Sequence, residues 1–255
     1  MRSRSALRVE HVDGVDRLVD VRSEPPVAIR QAGPRLLLVG SAAAPLGGDE
    51  LELEVVLGPA ASAEIGSAAA AMVWPGVSGA PSRSSVSIEV GAGGALTWWP
   101  EPTVVVTGAR HTVRTRCRLE AGSRLMLVEE VVLGRTGEPA GDVTVDLRVE
   151  VLGRPLLHHV EHFGPSTPGW GSVAAAGGAR HVLTALVVGR DAPTAVAEVS
   201  SSAAMTAVLP LSASAEVTAA VGPAALIVAL APDRPTALAA TGVRHVAGAK
   251  HLQRV

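Results

Sequence analysis

The sequence predicts an all-β fold: a helically wound β-sandwich, or solenoid-like stack of strands, with one or two short helices near the C-terminus. Three observations carry this expectation. Apolar and polar residues alternate along the first two-thirds of the chain, glycine and proline interrupt them at short intervals, and a strand–turn–strand unit returns about every thirty residues.

The alternation is clearest in "LELEVVL" (Leu51–Leu57), "SVSIEV" (Ser85–Val90), "TVRTRCRL" (Thr112–Leu119) and "VTVDLRVEV" (Val143–Val151). Each sets apolar side chains on one face of an extended segment, the pattern of a half-buried strand. The repeat aligns Leu57-Gly58-Pro59-Ala60-Ala61 with Val90-Gly91-Ala92-Gly93-Gly94 and with Leu119-Glu120-Ala121-Gly122-Ser123. Each copy is a strand that turns on small residues and continues as another strand, so each buries its face on the next. Helix is scarce. "SAEIGSAAAAMVW" (Ser62–Trp74) is broken by turn-like residues, and the best candidate is Arg234–Leu252, with Pro235 at its first position. Gly164–Arg180 reads as a surface loop. No composition shift divides the chain, so residues 1–255 are expected to form a single domain.

Composition excludes several function classes. A formal charge of −2, with basic residues dispersed, argues against nucleic acid or an anionic membrane as partner. The longest apolar run, Ala224–Ala231, is too short to span a bilayer, and the first residues lack the apolar core of a signal peptide. A cytoplasmic location is the expectation. Cys117 is the single cysteine, so neither an internal disulfide nor a cysteine-based zinc site is available; its alternating context makes it a small core residue. With one lysine, Lys250, the chain has no phosphate-binding loop. "GAGGA" (Gly91–Ala95) is a turn between strands rather than a dinucleotide fingerprint, and "GVSGA" (Gly76–Ala80) lacks the spacing of a nucleophile elbow.

One motif does spell a chemistry. His158-x-x-Glu161-His162 is the pattern of a class of zinc peptidases, which needs a helix to bring the two histidines and the glutamate together. Here it follows a strand and Gly153-Arg154, a pair suited to a two-residue hairpin turn. The returning strand then sets Leu156 opposite Val151 and His162 opposite Val145. In that register His158, Val160 and His162 share the apolar face while His159 and Glu161 point away. One detail opposes it, since Asp146 then faces Glu161. Acidic residues also recur beside expected turns, at Asp49, Glu101, Glu129, Glu130 and Glu138. In "LTWWPEPTVVVTGARH" (Leu96–His111), Pro100 and Pro102 bracket Glu101 and stop strand pairing. Trp98 and Trp99 point to opposite faces, so an exposed indole beside a fixed acidic turn suggests a docking surface.

Three segments carry a family resemblance. Gly47-Gly48-Asp49 with Gly58-Pro59, "LTWWPEPTVVVTGAR", and Glu129 followed by "VVLGRTGE" (Val131–Glu138) resemble the urease accessory protein D family (UreD, UreH in some organisms). "RLLLVGSAAAPLGGD" (Arg35–Asp49) and "GRPLLHH" (Gly153–His159) are similar to its actinobacterial branch. Met72-Val73-Trp74 departs from the family pattern, where many members have a Lys-x-Tyr segment. The resemblance implies a non-enzymatic maturation factor. With accessory proteins F and G, the latter a GTPase, it would bind apo-urease and promote assembly of the dinuclear nickel centre. It implies no tightly bound cofactor; nickel would be transient cargo. Asp49, Glu101, Glu129 and Glu138 match acidic positions of the family's motifs and are candidates for a nickel conduit or for turns. Trp98, Trp99, Pro100, Glu101, Pro102 and Arg135 are candidates for partner binding. Carboxylate, imidazole or water ligands hold nickel weakly enough to release it, whereas a thiolate cage would trap it. Two other readings compete: a stand-alone β-solenoid binding module, and a zinc hydrolase using His158, Glu161 and His162.

Overall fold

A computed structural model describes residues 1–172, 175–190, 192, 197–200 and 204–241. The chain opens with two hairpins, β1 (Arg2–Val12) with β2 (Val15–Arg22), and β3 (Val27–Ala32) with β4 (Arg35–Gly40). A coil follows, made of β5 (Glu50–Leu57), β6 (Ser62–Ser67), the short β7 (Ala71–Val73), β8 (Ser82–Val90) and β9 (Ala95–Trp99). It continues through the short β10 (Thr103–Val105), β11 (Arg110–Leu119), β12 (Arg124–Leu133) and β13 (Asp142–Val151). β14 (Arg154–Phe163) folds back on β13. The C-terminal part comprises β15 (His181–Val188), β16 (Ala197–Ser200), β17 (Met205–Pro210), α1 (Ala215–Val221), β18 (Ala224–Ala231) and α2 (Arg234–Thr241).

The coil alternates between two sheets. The first has the order β14-β13-β11-β8-β5-β1-β2, and the second β16-β17-β18-β15-β12-β9-β6-β4-β3, with β7 and β10 joined to β12 at one side. Within the coil, neighbours are parallel and in register: Leu53 lies beside Val86, and Val90 beside Leu119. The four alternating segments fall within β5, β8, β11 and β13, as their pattern predicts. The predicted repeat is the stack of turns between the sheets. Ala60 N donates to Ala92 O, Gly93 N to Ala121 O, and Gly122 N to Ala220 O at the start of the C-terminal cap. Small residues are needed because successive turns touch. A Cβ on Gly91 would lie 2.7 Å from Gly58 C and Pro59 N.

α1 starts at Ser214, whose side chain accepts from Val217 N, and ends at Gly222. With seven residues it is too short to stand out by periodicity. α2 covers the first part of the predicted C-terminal helix; Asp233 caps it, Pro235 is its second residue, and residues 242–255 lie outside the described residues. Between the sheets lie two apolar clusters. One gathers Leu57, Ile65, Ile88, Leu119, Leu127 and Leu186, the other Val105, Val131, Val143, Val145 and Val182. A third, with Val128, Ala185, Ile227, Ala237 and Leu238, lies between the second sheet and α2. β12 is therefore covered on both faces.

Gly91→Ala tests the turn stack. The added methyl must move backbone rather than a flexible side chain, so equilibrium unfolding in urea should show a loss of about 1–3 kcal/mol.

Candidate functional site

The tight turn after β13 uses Leu152 and Gly153, both at positive φ (50° and 72°), rather than the expected Gly153-Arg154 pair. Positive φ at both central residues matches strand twist, which favours this turn. A register shift follows at Val149/Glu150. Val145 consequently lies opposite Glu161, Leu147 opposite His159, and Arg148 opposite His158. A one-residue slip exchanges the faces of a strand, so the predicted orientation is corrected: His159 and Glu161 face the interior, while His158 and His162 face out. The expected clash vanishes too, because Asp146 lies opposite Val160 and instead holds Arg114, Arg148 and His158 at 3.1–3.3 Å. The motif occupies a strand, and its histidines lie on the opposite face from Glu161. The arrangement a zinc peptidase requires is not formed.

The inward turn of Glu161 and His159 completes a polar layer across the sandwich, between the two inner apolar clusters. Thr115 and Glu129 are buried on facing sheets, and the Thr115 hydroxyl donates to Glu129 Oε1. Thr184, beside Glu129 on β15, donates to Glu161 Oε2 at 3.1 Å. His159 Nε2 stands 3.3 Å from the same oxygen, within ion-pair reach but off the hydrogen-bonding line. Glu129 Oε2 is fully buried and has no hydrogen-bond partner among the described residues. Burial pushes the Glu129 carboxyl up to about 7; the Thr115 hydrogen bond opposes this, Glu161 adds to it, and His159 works against it. His159 is held above the usual histidine value, chiefly by Glu161. Cys117, next on the same face as Thr115, is buried; desolvation and the Glu129 charge raise its thiol well above its ordinary range, so it stays protonated.

A cavity of about 470 Å³ reaches this layer. Glu129, Glu130, Val113, Val145, Trp98 and Val86 line it, together with residues 38–40, 42–45 and 67–72. Its lining is mainly apolar with few carboxylates, which is the usual make-up of a site that orients a small guest by a few polar groups. Among the described residues, no three His, Cys, Asp or Glu side chains converge closely enough to hold a metal ion.

On the other face of β12 Glu130 is fully satisfied. Arg234 of α2 grips it with Nε at 2.8 Å and Nη2 at 3.0 Å, His181 Nε2 lies 2.9 Å away, and Trp99 Nε1 donates at 2.8 Å. Burial alone would raise this carboxyl, but the hydrogen bonds of His181, Arg234 and Trp99 bring it below the usual value. Arg234 also reaches Glu101 at the cavity, so one guanidinium joins the cavity lining to α2.

The candidates named from sequence thus separate. Asp49 is buried and ties a turn, accepting from Leu46 N and the amino group of Met1. Glu138 likewise closes a turn, accepting from Thr107 N at 2.9 Å and Arg135 at 2.7 Å. Glu101 is half-buried in its pair with Arg234, and both Glu101 and the buried Glu129 line the cavity. Glu129 and Glu130 lie within a strand, not beside a turn as expected. Of the partner-binding candidates, Trp98 and Pro102 are buried, Trp99, Pro100 and Glu101 are half-buried, and Arg135 is exposed. Arg135 lies 5.0 Å over the Trp74 ring, so the divergent Met72-Val73-Trp74 segment serves as a packing platform. Sequence reasoning passed over Thr115, Thr184, His181 and Arg234, and met Glu161 and His159 only through the zinc-peptidase pattern. One signal was available: two glutamates inside the otherwise apolar "LMLVEEVVL" mark a strand buried on both faces.

Two measurements follow. A raised carboxyl means the folded chain binds more protons than the unfolded one between about pH 4.5 and 7, so stability falls as pH rises through that window. Glu129→Gln removes this slope, and urea unfolding at pH 8 should show a gain of about 2–3 kcal/mol. Glu130 has the opposite sign: its stabilisation is present above the unfolded carboxylate value and is lost as pH falls through its depressed folded value. Arg234→Ala should cost about 3 kcal/mol at pH 7 and flatten that acid limb.

Comparison with known proteins covers almost the whole chain. The family model described as UreD urease accessory protein matches residues 1–249. Urease accessory protein UreD of Parafrankia sp. (strain EAN1pec) is 38% identical over 215 residues, covering 74% of this chain and 72% of that protein. The protein of the same name from Streptomyces avermitilis is 37% identical over 223 residues, with 84% and 83% covered. Urease accessory protein UreD 3 of Streptomyces griseus subsp. griseus is 36% identical over 247 residues, with 91% of both chains covered. A match of that extent, on a chain whose motifs fold into one coil, places it in a family: the chain belongs to the UreD urease accessory proteins.

Proposed function

We propose that this chain is a nickel-insertion scaffold that binds apo-urease. With accessory proteins F and G, it promotes GTP-dependent assembly of the dinuclear nickel centre. The coarser statement needs no proposal: as a UreD protein it is an accessory factor in urease maturation rather than a catalyst. The observation that carries the finer reading is Glu129, a residue of the cavity lining whose buried Oε2 has no hydrogen-bond partner among the described residues. A carboxylate denied water and a full set of hydrogen bonds favours any cation that reaches it. Glu161 and His159 lie beside it with oxygen and nitrogen donors, and the thiol of Cys117 stays protonated, so the donor set is hard to borderline. Such a set suits a divalent ion that must be passed on rather than kept. Nickel is then cargo, taken up and released without a resident site. A cytoplasmic location belongs to this reading. Among the described residues, no helix is long and apolar enough to cross a membrane.

Urease activation in cells tests it. Glu129→Gln and Glu161→Gln should each lower nickel per urease active site at least about fivefold, while the variant still co-purifies with apo-urease and unfolds at or above the wild-type midpoint. Full nickel loading with both variants would reject the conduit; loss of co-purification would move the effect to docking.

A further inference from the structure

The hairpin β1–β2 carries a feature unrelated to the cavity. Among the described residues, β2 is the outermost strand of the first sheet and pairs on one side only, with β1. Val12, Val15, Val19 and Val21, between 39% and 53% exposed, gather on this hairpin. Strand edges that display both apolar side chains and unpaired backbone groups are templates for another strand. Charges and bulges usually block that, and β2 has both.

The form of the block identifies what fits. The irregularity between Arg8 and Val9 sets Arg8 opposite Asp20 and Val9 opposite Leu18, leaving Val19 as the extra residue. Arg17, Asp20 and Arg22 therefore share the outer face with Glu10, Arg8 and Ala6, and Leu18 and Val21 turn inward beside the buried Val9 and Leu7. An unbroken strand pairing antiparallel with its own copy about Leu18 would set Asp16 against Asp20, a like-charge clash. The bulge changes the parity of the strand across Val19. The centred register that keeps outer residues opposite outer ones then sets Arg17 against Asp20 of the second copy, and the reverse. Leu18 meets Val19 between these pairs, and Val15 meets Arg22. Within the chain, among the described residues, neither Arg17 nor Asp20 makes a side-chain ion pair. We propose that β2 is a self-pairing edge, through which two copies of this chain join their first sheets antiparallel about a two-fold axis near Leu18–Val19. The bulge and charges that turn away unrelated strands are satisfied by the same strand reversed.

Charge reversal tests this on the purified full chain by sedimentation velocity over a concentration series. Wild type should show a concentration-dependent dimer. Arg17→Asp alone and Asp20→Arg alone should each weaken it at least about tenfold, since each sets two like-charge pairs at the joint. An equimolar mixture of the two variants should recover dimer, as should the double swap carrying both changes. Hydrogen exchange in wild type should slow at backbone amides of residues 15–22 as the dimer forms, a readout that needs no variant. A wild-type chain that stays monomeric with these amides unprotected overturns the proposal. So does a dimer indifferent to both reversals, which would mean another surface or another occupant.

Discussion

Everything in this molecule depends on keeping successive turns of the coil in register. A parallel strand cannot return to its neighbour through a tight hairpin, so each must cross to the other sheet before coming back. The turns that make the crossing stack on one another, and their backbone groups bond to the turns above and below. Register, once set by the glycines and alanines at these corners, is inherited by every rung. A residue at a given level of β5 therefore has counterparts at the same level of β8, β11 and β13. The apolar interior is a consequence of this alignment, and so is the level at which Thr115 and Glu129 interrupt it.

That interruption is a cross-sectional layer of threonine, glutamate and histidine between two apolar clusters. It draws on both sheets and on the antiparallel strand β14, which turns His159 and Glu161 inward only because its pairing with β13 slips by one residue between Val149 and Glu150. Burying a carboxylate without its full complement of donors costs stability, and a sequence free to optimise packing would place leucine there. The retention of an uncompensated group beside a cavity is the kind of local inconsistency that function, rather than folding, explains.

The fold was legible in the sequence because its causes are local. Period-two alternation reports which face of a strand is covered, and the small-residue corners report where successive turns touch. The site was legible only in part. Glu129 stood out through the family resemblance, but its neighbours come from strands distant in sequence, and no spacing announces that Thr115, Glu129, Glu161 and Thr184 share a level. The face of β14 was misassigned because its pairing with β13 shifts by one residue between Val149 and Glu150, an irregularity that no residue pattern advertises and that exchanges the faces of the strand beyond it. The buried role of Glu130 was hidden for another reason. Its partner Arg234 arrives from α2, and long-range ion pairs leave no periodic trace.

Glu129 and Glu130 are adjacent in the chain but electrically separate. The sheet between them behaves as an insulating partition: one side holds an internal salt whose counter-ion is built into the polypeptide, the other a carboxylate with no such companion. Glu130 is thereby fixed in its charged form by a tethered guanidinium, and Glu129, whose hydrogen bonds are incomplete, is the one of the two left to exchange its proton near neutral pH.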